Sequence, residues 1–264
     1  MYGALIGDIA GSRFEFDNHK SKEFALFTEA CSFTDDSVMT LAVALALLDF
    51  ETVEDYPEFK RHLADEMKSL GRLYPRAGYG GRFRLWLTGE LNGPYRSYGN
   101  GSAMRVSPVA WYAHSLEEAE SLAKASAEVS HNHPEGIKGA VATAGCIYLA
   151  RTGASRDAIR TYARGFYPLD FTLDEIRQTY RFNETCQETV PQAIVAFWES
   201  TDFEDAIRCA VSLGGDSDTL AAITGSIAEA FYGIPAPILE EAMGYLDQFL
   251  LLVAQRFGSR YVNP

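Results

Sequence analysis

Residues 36–48 read DSVMTLAVALALL, and no other stretch constrains the chain more tightly. Val38, Leu41, Leu45 and Leu48 fall at helical spacing, and the alanines between them leave almost no polar face. A helix that is apolar nearly all round must be enclosed by other helices, so it is central. Glu135–Arg151 has the same character, with Ile137, Val141, Ala144 and Tyr148 on one stripe and Gly139, Ala140, Ala142 and Gly145 around it. Such small residues let neighbouring helices approach closely.

Further helical patterns run over 53–70, with a charged outer face, and over 117–130, 187–199, 202–213, 217–232 and 236–255. Met104–Tyr112 is expected to begin another. No segment alternates with period 2 between turn signals, so strands are not required. The expectation is an all-α chain folded as a single compact domain over 1–264. The irregular stretches are Ser12–Ser32, Pro75–Gly81 and Glu90–Ser102, and long loops in a compact helical domain are often functional.

Charge narrows the partners. Lys+Arg 23 against Asp+Glu 36 gives a net charge of −13, whose field repels phosphate and argues against a nucleic-acid groove. An anionic substrate then needs local cations or backbone N–H groups. The four cysteines form no CxxC pair and read as reduced thiols of a cytoplasmic protein. The uncharged runs 37–48 and 139–150 are 12 residues each, too short to span a bilayer. No basic n-region opens the chain, and Asp8 interrupts its first apolar run, so neither a signal peptide nor a membrane partner is expected. A monomer is expected.

Two acidic clusters sit at helix starts. Thr34-Asp35-Asp36 opens the first central helix, and Asp216-Ser217-Asp218-Thr219 opens another apolar helix, with Leu220, Ile223, Ile227 and Phe231 on one stripe. Capping explains either cluster alone, because one side-chain oxygen satisfies free N–H groups and acids suit the positive helix end. Capping needs only one oxygen, however, and each cluster carries two carboxylates and a hydroxyl. Brought together they would make an all-oxygen site suited to Mg²⁺, Mn²⁺ or Ca²⁺ rather than zinc. About 180 residues separate them, and spacing alone does not show that they meet.

Other candidates are local. Tyr98-Gly99-Asn100-Gly101-Ser102 could cradle an anion on backbone N–H groups, or be an ordinary Asn-Gly turn. His131 precedes Pro134 at a helix entry and either satisfies backbone or contacts a ligand hydroxyl or phosphate. Glu15, between Phe14 and Phe16, reads as a perturbed carboxylate or as a surface residue beside two rings.

In this order GALIGDIAGSRFEF, FTDDSVMTLAVALAL, SYGNGSAMRVSPVAW, SHNHPEGIKGAVATA and GGDSDTLAAITGSIAEAFYGIP resemble the ADP-ribosylglycohydrolase family, over residues 3–235. That resemblance implies an orthogonal all-α fold with two Mg²⁺ ions, or Mn²⁺ in their place, in a central cleft. It implies Thr34, Asp35, Asp36, Asp216, Asp218 and Thr219 as metal ligands, with Asp218 bridging. It implies Glu15 as an acidic residue beside the scissile bond, with Asp35 and Asp36 as further catalytic carboxylates. It implies Tyr98, Gly99, Asn100, Gly101, Ser102, Met104 and His131 as substrate contacts, and Tyr98 as an adenine stacker. Residues 16–32 match nothing in the family pattern and would shape the entrance.

The implied reaction is hydrolysis of the glycosidic bond between ADP-ribose and an acceptor, with an ADP-ribosylated protein, arginine-linked first, or a small conjugate as partner. Metal ions would position ribose hydroxyls and water, and a carboxylate would act as acid or base. A two-metal phosphoesterase acting on a nucleotide uses the same ligand set, and an inactive ADP-ribose-binding protein is the third reading.

Overall fold

The structure is a computed structural model and describes residues 1–262; the last two residues of the expected 1–264 domain lie outside the described residues. In chain order the helices are α1 (Tyr2–Gly11), α2 (Asp35–Leu48), α3 (Tyr56–Leu73), α4 (Gly81–Thr88), α5 (Gly101–Met104), α6 (Ser107–Tyr112), α7 (Leu116–Glu128) and α8 (Pro134–Arg151). They continue with α9 (Arg156–Arg164), α10 (Leu173–Arg177), α11 (Cys186–Glu199), α12 (Phe203–Val211), α13 (Ser217–Tyr232), α14 (Ala236–Met243) and α15 (Gln248–Phe257). The fold is all-α. Among the described residues the strand-like pairing is a single antiparallel bridge between Gly99 and Thr185.

The apolar helices are central, as their composition requires. In α2 only Asp35 and Leu45 escape full burial, and in α13 every residue from Ser217 to Glu229 is buried. Helix α13 packs against α1, α8, α11 and α12, so its N-terminus is held from several sides. Its tightest neighbour is α1. A Cβ on Gly7 would lie 2.1 Å from Ala221 O, and one on Gly11 would lie 2.6 Å from Asp218 Cα. The two backbones touch, and no side chain fits between them.

Capping follows local chemistry. Asp55, Ser115, Ser155, Thr172 and Asp202 each accept a backbone N–H in the first turn of the following helix. At α8 the cap is His133, whose Nδ1 accepts from Glu135 N at 3.1 Å, so helix entry is not the work of His131.

Three sequence expectations are corrected. The pattern over 236–255 is two helices, because the chain turns after Met243 and Asp247 caps a new start by accepting from Phe249 N and Leu250 N. Met104–Tyr112 is also broken. Pro108 has no N–H to give Met104 O, which instead accepts from Thr40 Oγ1 at 3.4 Å, and α6 begins afresh at Ser107. Helices α4, α9 and α10 were not expected. They are short, and α9 buries only Ile159 and Ala163, which is too little to mark a periodic stripe.

Among the described residues no helix is long and apolar enough to cross a membrane. All four cysteines are free and buried, and Cys186 donates to Gly99 O at 3.1 Å.

Candidate active site

A cleft of ≈ 770 Å³ opens where the N-termini of α2, α5 and α13 converge. Glu15, Asp35, Asp36, Asp216, Asp218 and Thr219 line one part of it, and Tyr98, Gly99, Asn100, Gly101, Met104 and His131 line another. The two acidic clusters therefore meet. All three irregular stretches reach the cleft, through Glu15, through Gly78 and Gly80, and through Tyr95 to Gly101.

Capping does not account for the carboxylates. At α2 the cap is Thr34, whose Oγ1 accepts from Asp36 N at 3.3 Å. Asp216 stands at the cap position of α13 but makes no capping bond; its Oδ2 accepts from Asn100 Nδ2 at 2.6 Å. Asp36 Oδ2 accepts from Thr219 Oγ1 at 3.1 Å, while its buried Oδ1 has no partner. One oxygen from each of Glu15, Asp216 and Asp218 lies within 4.8 Å of the others.

So many acids in one buried place repel. Burial first, and then the Asp218 carboxylate, push Asp35 and Asp36 well above the usual carboxylate range. Burial and Asp216 do the same to Asp218. Asp216 is raised to about 6 by burial, with Glu15 and Asp35 adding to it. Glu15 is pushed up to about 8 by burial, then by Asp218, Asp8 and Glu184. Asp218 is the acid that most of the others feel. An orphaned oxygen, oxygen-only donors and mutual repulsion are together what a hard divalent cation would relieve, so these residues fit such an ion.

The Gly99–Met104 segment is tied to this cluster. Asn100 Nδ2 donates to Asp216 and also to Thr189 Oγ1 at 3.1 Å. Its backbone N–H donates to Glu184 O at 2.7 Å, and that of Gly99 to Ser97 Oγ at 3.1 Å. Those two donors are occupied, and of the next two residues only Gly101 lines the cleft. The Ser102 side chain does not line the cleft; it is buried and donates to Gly136 O at 2.7 Å. Thr34 is not in the lining either, because its hydroxyl donates to Asp8 Oδ1 at 2.7 Å. Tyr98 stands half-exposed at the rim with its ring edge-on to His133.

The sequence profile of the ADP-ribosylglycohydrolase family matches residues 1–261. The chain belongs to this family. Human ADP-ribosylhydrolase ARH3 is 26% identical, with 95% of this chain and 90% of that protein aligned. The ADP-ribosylarginine hydrolase Tri1 of Pseudomonas putida (strain GB-1) is 28% identical, over 89% of this chain and 70% of that one. A solved structure described as an ADP-ribosylglycohydrolase-related protein complex superposes with a TM-score of 0.69 at 24% identity, covering 97% of this chain and 94% of its own. That superposition establishes the fold.

Several residues that shape this glycohydrolase cleft carry no motif signal. Asp8, on α1, is fully buried and accepts from Thr34 N at 2.9 Å, Thr34 Oγ1 at 2.7 Å and Ser37 N at 3.0 Å. It holds the start of α2 from a neighbouring helix. An acid inside an otherwise apolar glycine-spaced run was its only mark. Asn18 Oδ1 accepts from Gly215 N, and Lys20 Nζ donates to Leu213 O and Tyr180 O. These two fix residues 16–32 onto the turn before Asp216, where Gly214 and Gly215 have φ +62° and +75° and a side chain would be strained. Phe182, Asn183, Glu184 and Thr185 add a wall that no pattern in the sequence announced.

Proposed function

We propose that the protein hydrolyses the glycosidic bond between ADP-ribose and an acceptor side chain, in a reaction dependent on divalent cations. The observation that carries this reading is the convergence of Glu15, Asp35, Asp36, Asp216 and Asp218 on one cleft, with a buried Asp36 oxygen unpaired, beside Gly101 and His131. Asp35, Asp36, Asp216, Asp218 and Thr219 would hold two Mg²⁺ or Mn²⁺ ions; Thr34, whose proton is on Asp8, would join them through an Oγ1 lone pair. Bound there, the ions supply the positive charge that positions ribose hydroxyls and an attacking water.

The chain's own groups do the rest. The Gly101 N–H and the His131 ring receive the diphosphate and distal ribose, and buried Ser102, bonded to Gly136 O, holds the segment behind them. Tyr98 stacks on the adenine at the rim. Glu15, whose carboxyl is held near neutrality, takes a proton from the attacking water or gives one to the leaving group. Among the described residues, the serine hydrogen-bonded to His131 is Ser130, which is fully buried behind the ring and cannot reach a substrate, so direct water attack is the route. Arginine is the favoured acceptor, because Glu15 and Glu184 both line the cleft and suit a guanidinium, and because Tri1 is named for that bond.

The test is a product assay on ADP-ribosylated arginine, serine and O-acetyl-ADP-ribose, with and without EDTA. Free ADP-ribose should be released, EDTA should abolish release, and Asp218→Asn should abolish both turnover and stabilisation by Mg²⁺. Inorganic phosphate as product would instead make the protein a phosphoesterase. Binding of ADP-ribose without turnover at saturating Mg²⁺ would make it a binding protein.

A further inference from the structure

Behind the Gly99–Gly101 segment lies a buried chain of polar groups that the reading above does not use. Arg105 is fully buried, and its Nη2 donates to Ser126 O at 3.2 Å and to Ser130 Oγ at 2.9 Å. Ser130 is also fully buried, and its Oγ lies 2.8 Å from His131 Nδ1. On the other side of the ring, His131 Nε2 faces the cleft segment: a Cβ on Gly101 would lie 3.1 Å from it, and one on Gly99 3.5 Å. Among the described residues Nε2 has no hydrogen-bond partner.

We propose that Ser130, held by Arg105, locks His131 as the Nε2–H tautomer, so that the ring presents a fixed uncharged hydrogen-bond donor to a ligand oxygen at the Gly99–Gly101 segment.

The argument is one of proton counting. A guanidinium has donors and no acceptor, so Ser130 Oγ must accept from Arg105. The hydroxyl then has one proton left to place. If His131 carried its proton on Nδ1 and gave it to Ser130, the serine proton would be buried with no acceptor, at the cost of an unmade bond. If Ser130 donates to Nδ1, its hydroxyl both accepts from Arg105 and donates to the ring, and the neutral ring must carry its proton on Nε2. The cationic ring is disfavoured independently, because burial and then the Arg105 charge hold the His131 pKa well below its ordinary value. Arg105 itself, lowered to about 10 by burial, stays charged at neutral pH.

The role follows. His131 accepts nothing through Nε2 and is no general base; it donates to a phosphate or hydroxyl oxygen, and Ser130 and Arg105 are positioning residues behind it. The identity of that ligand as ADP-ribose rests on the proposed function, whereas the tautomer does not.

The experiment separates the two. In a two-bond ¹H–¹⁵N correlation spectrum of the labelled, ligand-free protein, with His131 assigned by its loss in His131→Gln, Nε2 should resonate as protonated and Nδ1 as unprotonated. Ser130→Ala should move the ring toward tautomer averaging and weaken binding of free ADP-ribose, in Mg²⁺, by about tenfold, the worth of one hydrogen bond. Ser130→Thr, which keeps the hydroxyl, should restore both. A protonated Nδ1 in the wild type overturns the proposal, and that spectrum decides it even if Ser130→Ala does not fold. An unchanged affinity in a Ser130→Ala protein whose ring pattern has shifted overturns the donor role. Wild-type protein that does not bind ADP-ribose at all overturns the proposed function and leaves the tautomer result standing.

Discussion

Glu15 shows how far a single side chain's chemistry depends on residues distant in sequence. In the sequence it is an acid between two phenylalanines, and the bland surface reading is the natural one. In the fold Phe16 is turned out to solvent and stacks on Phe182, while the Glu15 carboxyl faces Asp218 and Asp216. Burial first, and then Asp218, Asp8 and Glu184, raise it to about 8. Glu15→Gln keeps the size and hydrogen bonding of the side chain but removes the base. The expected result is a kcat lower by ~100-fold or more, with the Kd for ADP-ribose changed only a few-fold. Steady-state kinetics beside calorimetric titration of ADP-ribose would read the two separately, and normal turnover would return Glu15 to the surface.

At the scale of elements, the contact of α1 with α13 matters most. The α1 backbone lies directly on α13, and the same ten residues carry Asp8 to the start of α2. Gly7→Ala would force a methyl group to within 2.1 Å of Ala221 O. Such overpacking costs about 1–3 kcal/mol, and a chain of this size loses about 2–4 °C of Tm per kcal/mol. Because separating α1 from α13 also moves Asp8 and Asp218 apart, affinity for Mg²⁺ should fall with Tm. Thermal melting with and without Mg²⁺ would detect both; a lower Tm with unchanged Mg²⁺ affinity would show that the helix contact does not govern the site. Helices α2 and α13 were legible because burial on nearly every side leaves a compositional trace that needs no partner to be seen, whereas in α8 the small residues Gly139, Ala140, Ala142 and Gly145 are buried and Ile137, Val141 and Tyr148 of the expected stripe are half-buried. Helices α9 and α10 were not legible, since each buries too few residues to set a period, and in α4 the buried Phe83, Trp86 and Leu87 span little more than one turn. The motif clusters at 34–36, 98–104 and 216–219 were legible as chemistry. Their support was not: Asp8, Asn18, Lys20 and Glu184 act through backbone groups, and a backbone partner leaves no mark on either sequence segment.

For the whole molecule, the acidic cleft makes stability depend on pH and on divalent cations together. A carboxyl whose pKa is raised on folding holds a proton in the native state that it loses in the unfolded one. The native protein therefore binds more protons through that window, and stability falls as pH rises across it. The window runs from the ordinary carboxylate range up to about 6 for Asp216 and about 8 for Glu15. In EDTA the Tm should decline from about pH 5 to about pH 8, and excess Mg²⁺ should offset most of the decline, so the gap between the two curves widens with pH. Parallel melting series in buffers of matched ionic strength would check it; a gap that stays constant would mean that the carboxylates are not what the cation relieves. Asn100 has a consequence at this same scale. Its amide ties the Gly99–Met104 segment to Asp216, the one proposed to receive the diphosphate and the other proposed to hold metal. Reciprocity then applies: whatever factor the metal adds to nucleotide affinity, the nucleotide must return to the metal, whichever arrives first.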